Sequence, residues 1–117
     1  MTIREAIERV DEIKPNAVTE RRKAEWLEML DNKIRTEIML LDISEKKAYK
    51  YPDCLDWELL LDDTWRSLYE YHLCSEIDIV NNEYDKAVNT QTLFNSELND
   101  FTVWFANAYE VAQYQVR

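Results

Sequence analysis

The sequence predicts an all-α fold of about four helices, closed by a long C-terminal antiparallel helical hairpin over residues 64–113. Three observations predict it. Apolar residues recur at steps of three and four along most of the chain. The final third carries an unbroken seam, Tyr84, Ala87, Gln91, Phe94, Leu98, Phe101, Phe105, Ala108 and Ala112, of which eight positions in nine are apolar. There is no glycine in 117 residues and proline occurs only twice, so little interrupts helix. A hydrophobic content of 46 % at this length supports one folded domain, residues 1–117.

The first helix opens at Thr2. Its hydroxyl and the Glu5 carboxylate have the capping-box spacing, in which each satisfies an orphan backbone amide. Ile3, Ala6, Ile7, Val10 and Ile13 then share one face, and Pro15-Asn16 ends the helix. Thr19 is placed to cap a second helix. Its apolar face runs Leu27, Leu30, Ile34, Ile38 and Leu41, with Trp26 beside it. Glu20, Glu28, Asp31 and Arg35 fill the opposite face, and the end is expected near residues 42–44.

Residues 45–61 form an irregular connection. Tyr49, Tyr51 and Pro52 favour extended or turn backbone, and Leu59-Leu60-Leu61 is too apolar to be left in water. Asp62, Asp63 or Thr64 can cap a third helix, where acids suit the positive end of the helix dipole. Trp65, Leu68, Tyr69, His72, Leu73, Ile77 and Val80 give that helix a broad apolar face, which implies burial on two sides. Asn81-Asn82 supplies the turn, because asparagine tolerates the left-handed backbone that glycine would otherwise take. Asp78, Asn81, Glu83, Tyr84 and Asn89 are expected to form a hydrogen-bonded helical corner there. The last helix follows. Its seam is nearly 30 residues, or about 40 Å, long, more than the third helix alone covers.

The charge is uneven. Residues 1–50 hold eleven bases and eleven acids, whereas residues 51–117 hold three bases and thirteen acids, so the whole formal charge of −10 lies in the second part. Specific nucleic-acid binding is not expected, since phosphate contacts need a basic stripe. The longest purely aliphatic runs, residues 38–41 and 59–61, fall far short of the ~20 residues that span a bilayer, and no membrane association is expected.

Chemistry is equally constrained. Without glycine there is no phosphate loop, dinucleotide fingerprint or nucleophile elbow. Cys54 and Cys74 lie twenty residues apart with no CxxC, and the chain holds a single histidine. No metal site, cofactor, catalytic residue or small-molecule substrate is expected. His72 and Glu76 stand at i and i+4, within reach of each other. They read as a histidine hydrogen-bonded in or beside the core, and both cysteines read as buried free thiols. Candidate interface residues are the basic Arg21, Arg22, Lys23, Lys46 and Lys47, with the aromatics Tyr49, Tyr51, Trp57, Trp65, Tyr84 and Trp104. Tyrosine and tryptophan suit interfaces, where one end is buried and the other wet.

Two blocks of the sequence carry a resemblance. One is Met1-Thr2-Ile3-Arg4-Glu5-Ala6-Ile7 with Val10-Asp11, Lys14-Pro15-Asn16-Ala17, Trp26-Leu27 and Leu30-Asp31-x-Lys33-Ile34. The other is Leu68-Tyr69, Ile77-Asp78-x-x-Asn81-x-Glu83-Tyr84, Asn89, Phe94-Asn95, Phe101 and Trp104. In this order the chain resembles a family of small proteins from tailed-phage and prophage genomes of Gram-positive bacteria. It departs from the family at Asn32, where glycine is frequent, and at Arg66, where an acid is frequent. The resemblance implies a head–tail connector or head-completion protein, one copy of a ring beneath the portal. Its partners would be further copies of itself, the portal and neck or tail proteins. It would be made in the host bacterial cytoplasm and end in the virion. The alternative is a soluble acidic binding protein, such as a DNA mimic or an inhibitor of a host protein, motivated by the charge of the second part.

Overall fold

The computed structural model describes residues 1–40 and 50–116, with side chains to residue 108. The fold is all-α: α1 (Ile3–Ile13), α2 (Glu20–Lys33), α3 (Arg66–Val80) and α4 (Tyr84–Val116). Among the described residues the β-structure is a single antiparallel bridge between Thr2 and Glu58.

The helix starts follow their caps. The Glu5 amide donates to the Thr2 hydroxyl at 3.1 Å, and the Glu5 carboxylate accepts from the Thr2 amide at 3.4 Å. Thr19 accepts from the Arg22 amide at 3.2 Å. Asp62 accepts from the Thr64 amide at 3.0 Å and starts a short 3-10 turn, Asp63–Trp65, that leads into α3. Asn82 turns the chain between α3 and α4 with a φ of 60°, the left-handed backbone expected of asparagine at this turn.

The second helix ends differently from its expected stop near residues 42–44. After Lys33 the backbone widens into a π-turn, Ile34–Ile38, in which the Met39 amide donates to the Ile34 carbonyl at 2.9 Å. The Thr36 hydroxyl bonds back to the Asn32 carbonyl at 3.0 Å, a local competitor of the regular ladder. Leu40 then takes a φ of 55° and stops the helix.

The core joins α1, α2, α3, the 54–61 segment and Phe101 of α4. Ile3, Ala6, Ile7 and Val10 are buried as expected, but Ile13 is exposed where α1 runs out. On α3, Leu68, Tyr69, Leu73 and Ile77 are buried, whereas Val80 lies at the exposed end. Leu59 and Leu61 are buried, and Leu60 packs against the core. Their amides are satisfied by side chains: the Leu60 N–H donates to Asp31 Oδ2 at 3.0 Å and the Leu61 N–H to the Tyr69 hydroxyl at 2.9 Å. The Tyr69 hydroxyl in turn donates to Asp31 Oδ1 at 2.7 Å. Asp31 and Arg35 are both buried, not part of the solvated face assigned to them from sequence. A buried carboxylate survives here because it accepts hydrogen bonds that the loop and α3 must place somewhere.

The hairpin of α3 and α4 is antiparallel and unequal, 15 residues against 33. Along the α4 seam Ala87 and Phe101 are buried, and Gln91, Phe94, Leu98 and Phe105 are partly covered. The two ends depart from the expectation: Tyr84 is 59 % exposed, and Ala108 is exposed, with no helix packed on it among the described residues. The Ala112 side chain lies outside the described ones. At about 1.5 Å per residue α4 is ~50 Å long, close to the 52 Å longest dimension of the molecule.

Candidate functional site

The interface residues named from the sequence separate into small groups. Arg21 and Arg22 sit exposed on the first turn of α2. The Arg21 guanidinium lies 5.9 Å from the Tyr51 ring centroid and 3.5 Å from Glu25, and Arg22 stacks over Trp26 at 5.3 Å. Tyr51 donates its hydroxyl to Glu20 at 2.9 Å, which raises the phenol above its ordinary pKa. Lys23 is a correction. It is buried, with Nζ 2.5 Å from Asp11 and 3.1 Å from the Asn16 side-chain oxygen, so it ties α2 to α1 and offers nothing to a partner. Lys46, Lys47 and Tyr49 lie outside the described residues.

Trp65 and Trp104 do meet. Their ring centroids are 5.9 Å apart, and both pack on buried Phe101, Trp65 edge-on at 5.2 Å and Trp104 at 5.9 Å. Trp104 remains 52 % exposed. Trp57 is partly exposed beside the N-terminal bridge, where its carbonyl accepts from the Ile3 amide at 3.1 Å.

The helical corner forms around Asp78. Its carboxylate is buried and meets Lys14 Nζ at 2.7 Å, while its carbonyl accepts from the Glu83 amide at 2.8 Å. The hydrogen bond to Asp78 holds the Lys14 ammonium above its usual pKa. Asn81 donates its amide to the Ile77 carbonyl at 3.0 Å, and the Tyr84 hydroxyl donates to the Asn82 side chain at 2.9 Å. Among the described residues no hydrogen bond ties Asn89 to this corner. It stands exposed on α4, because five residues past the helix start it has turned away from α3.

A cleft that the sequence reading did not assemble lies between α2, its π-turn, α3 and α4. It has a volume of about 340 Å³. Trp26, Leu30, Ile34, Phe94 and Leu98 form apolar walls, and His72 and Glu76 face it from α3. The imidazole packs against Phe94, with centroids 5.7 Å apart. Burial lowers the His72 pKa from 6.5 to about 4, against a hydrogen bond to the Trp26 backbone that raises it. Burial also raises the Glu76 carboxyl above its ordinary value, against the pull of Arg22. The i, i+4 spacing of His72 and Glu76 was visible in sequence. The walls were not, because three separate helices supply them.

Both thiols are free, Cys54 buried and Cys74 half-buried, and burial raises each above its ordinary pKa. Among the described residues no cluster of three or more histidine, cysteine, aspartate or glutamate side chains could hold a metal ion. No helix among them is long and apolar enough to cross a membrane.

Comparison of the chain with protein-family models, with curated proteins and with solved structures gives no match.

Proposed function

We propose that the chain is a structural protein of a tailed phage or prophage, a head–tail connector or head-completion subunit that assembles as a ring between portal and tail. One observation carries the reading: the outer face of α4 is built like an interface rather than like a solvated surface. Asn89, Thr92, Ser96, Asn99 and Val103 follow one another at alternating steps of three and four, and all five are exposed. They form a second stripe, on the side away from the core seam. Surface helices ordinarily put charge there. These five residues are short and uncharged, with the exposed Asp85 and Asp100 beside them, so another helix can approach closely along most of the stripe while desolvating few ions. Val88, Leu93 and Trp104, each more than half exposed, flank the stripe.

The resemblance to phage proteins supplies the class of partner: other copies, then the portal and the neck or tail proteins. The net charge of −10 suits a ring around DNA, since repulsion keeps the duplex from sticking to the wall. The subunit would be made in the host bacterial cytoplasm and retained in the virion.

The acidic binding protein is the second reading, and the surplus of acids in residues 51–117 favours it. A DNA mimic needs carboxylates at phosphate-like intervals on one open face. The open face of α4 carries amides and hydroxyls between two carboxylates, Asp85 and Asp100, that stand fifteen residues apart, too far for phosphate-like spacing, which favours assembly.

The test is co-expression with the portal protein of the same genome. Co-sedimentation as a ring of many copies is expected, with density for the chain at the neck of mature particles. Particles that carry no copy at the neck would overturn the proposal.

A further inference from the structure

The cleft between α2, α3 and α4 combines features that core packing alone does not require. Apolar walls enclose a space of about 340 Å³. That is the volume of about eleven waters at ~30 Å³ each, and the low end of the ~300–1,000 Å³ usual for small-ligand sites. Glu76 faces this space, and among the described residues no ion pair or hydrogen bond reaches its carboxylate. Arg22, the cation with most influence on it, lies over Trp26. His72 faces the same space as a neutral ring at pH 7. One of its nitrogens is engaged with the Trp26 backbone, and the other is left as an acceptor. At the rim Lys33 stands one turn from Glu37 on the same strip of backbone.

The occupant's chemistry follows from this inventory. Two carboxylates against one lysine disfavour an anion. A bare hydrocarbon would fill the walls and leave Glu76 desolvated without a partner, which is costly for a carboxylate. An apolar body that ends in a protonated amine satisfies both demands. Trp26 and Phe94 add flat faces suited to an aromatic body and to a cation near it.

We propose that this cleft is a binding site for a small aryl-alkyl amine, with its ring against Trp26 and Phe94 and its ammonium paired with Glu76. The site stands apart from the outer stripe of α4 and goes beyond the assembly role. It is proposed as a ligand site, and no chemical step is assigned to it.

The experiment titrates the full chain with phenethylamine, phenethyl alcohol and hydrocinnamate, which share a ring and differ in charge. Binding is read by the indole N–H signal of Trp26 in NMR spectra and by the shift in thermal midpoint. Phenethylamine is expected to bind about tenfold more tightly than the alcohol, the gain of one charged hydrogen bond, and hydrocinnamate more weakly than either. Glu76→Gln is expected to remove that tenfold preference and leave the alcohol unchanged, which also reports that the cleft is intact. Leu98→Trp, which fills the cleft, is expected to abolish binding of all three and serves if Glu76→Gln does not fold. Equal binding of the three probes, no binding of any, or an amine preference that survives Glu76→Gln would each overturn the proposal.

Discussion

Lys14 and Asp78, 64 residues apart, form a 2.7 Å ion pair that locks the end of α1 onto the end of α3. The pair belongs to a pattern. The Met1 ammonium reaches Glu58 and Asp63, Arg4 reaches Asp56, and Arg9 reaches Glu70. Positive groups of the first fourteen residues thus meet acids of residues 56–78 within one molecule. The charge asymmetry of the sequence is partly spent on joining α1 to the rest of the fold. The charge that remains is net acidic, and Arg21 and Arg22 form an exposed basic corner at the start of α2.

The Lys14–Asp78 pair is expected to be asymmetric in its response to mutation. Asp78 is 1 % exposed, whereas the Lys14 side chain keeps 27 % of its surface. Removing the lysine strands a desolvated carboxylate, and removing the carboxylate charge lets the lysine turn to water. Lys14→Met is expected to cost about 3 kcal/mol, and Asp78→Asn only about 1 kcal/mol. Urea unfolding of the two variants measures the difference, and equal losses would show that burial of Asp78 does not set the cost. The pair also has a pH signature. Because the folded pKa of Lys14 is raised above 10.5, its contribution is full below pH 10.5 and is lost as pH rises through the folded value.

His72 and Glu76 are expected to pull the acid stability of the protein in opposite directions. His72 titrates at 6.5 when unfolded and at about 4 when folded, so the unfolded chain binds the extra proton between these values. Its contribution is full above pH 6.5 and falls as pH drops toward 4, by about 3 kcal/mol at 1.36 kcal/mol per unit. Glu76 has a folded pKa above its unfolded 4.5. It weighs against the fold once pH rises through that region, and protonation relieves the cost. The other charges facing the cleft are Lys33 and Glu37 on the α2 side, with Arg22 farther along. Stability measured from pH 7 to pH 4 is expected to fall less in His72→Phe than in the parent, and more in Glu76→Gln. The same slope in all three proteins would refute the assignment.

Much of the fold was legible because its signals are local. A threonine three residues before a glutamate, apolar residues at steps of three and four, and paired asparagines each act within one turn of backbone. Those signals placed α1, the start of α2, α3 with its leading acids, and the hairpin. What the sequence concealed depends on closure in three dimensions. Asp31, Arg35 and Lys23 look like solvated helix residues by period. Asp31 and Lys23 are buried because Tyr69, the Leu60 amide and Asp11 arrive from elsewhere in the chain. The cleft was hidden for the same reason. The seam was legible as a period but not in extent, since its reach depends on where α3 begins and ends.

Among the described residues Leu40 and Asn82 hold left-handed backbone, with φ of 55° and 60°, in a chain without glycine. A leucine there clashes through its Cβ at a cost of about 1–2 kcal/mol. Leu40 is also 79 % exposed, so its side chain returns little by burial. Leu40→Asn is expected to stabilise the protein by about 1 kcal/mol. Asn82→Val, by the same reasoning, is expected to destabilise it by about 1–2 kcal/mol. Thermal unfolding reads both, and a destabilising Leu40→Asn would mean that the leucine side chain holds a contact stronger than its backbone strain.

Phe101 and Trp104 touch each other on α4 yet are expected to separate folding from assembly. Phe101 is 1 % exposed under Trp65, so Phe101→Ala leaves a cavity and should cost about 3–5 kcal/mol. Trp104 covers the same cluster from outside and is half exposed, so Trp104→Ala should cost about 1–2 kcal/mol and leave a folded monomer. Its larger effect should fall on ring formation, where a half-buried tryptophan beside an uncharged stripe is the kind of residue that anchors an interface. A second variant, Ser96→Arg, adds charge in the middle of that stripe without touching the core and should block assembly at near-parental stability. Unfolding midpoints and ring formation with the portal protein are measured on the same preparations. If Trp104→Ala and Ser96→Arg both assemble as the parent does, the outer face of α4 is not the contact, and the ring must close through another surface.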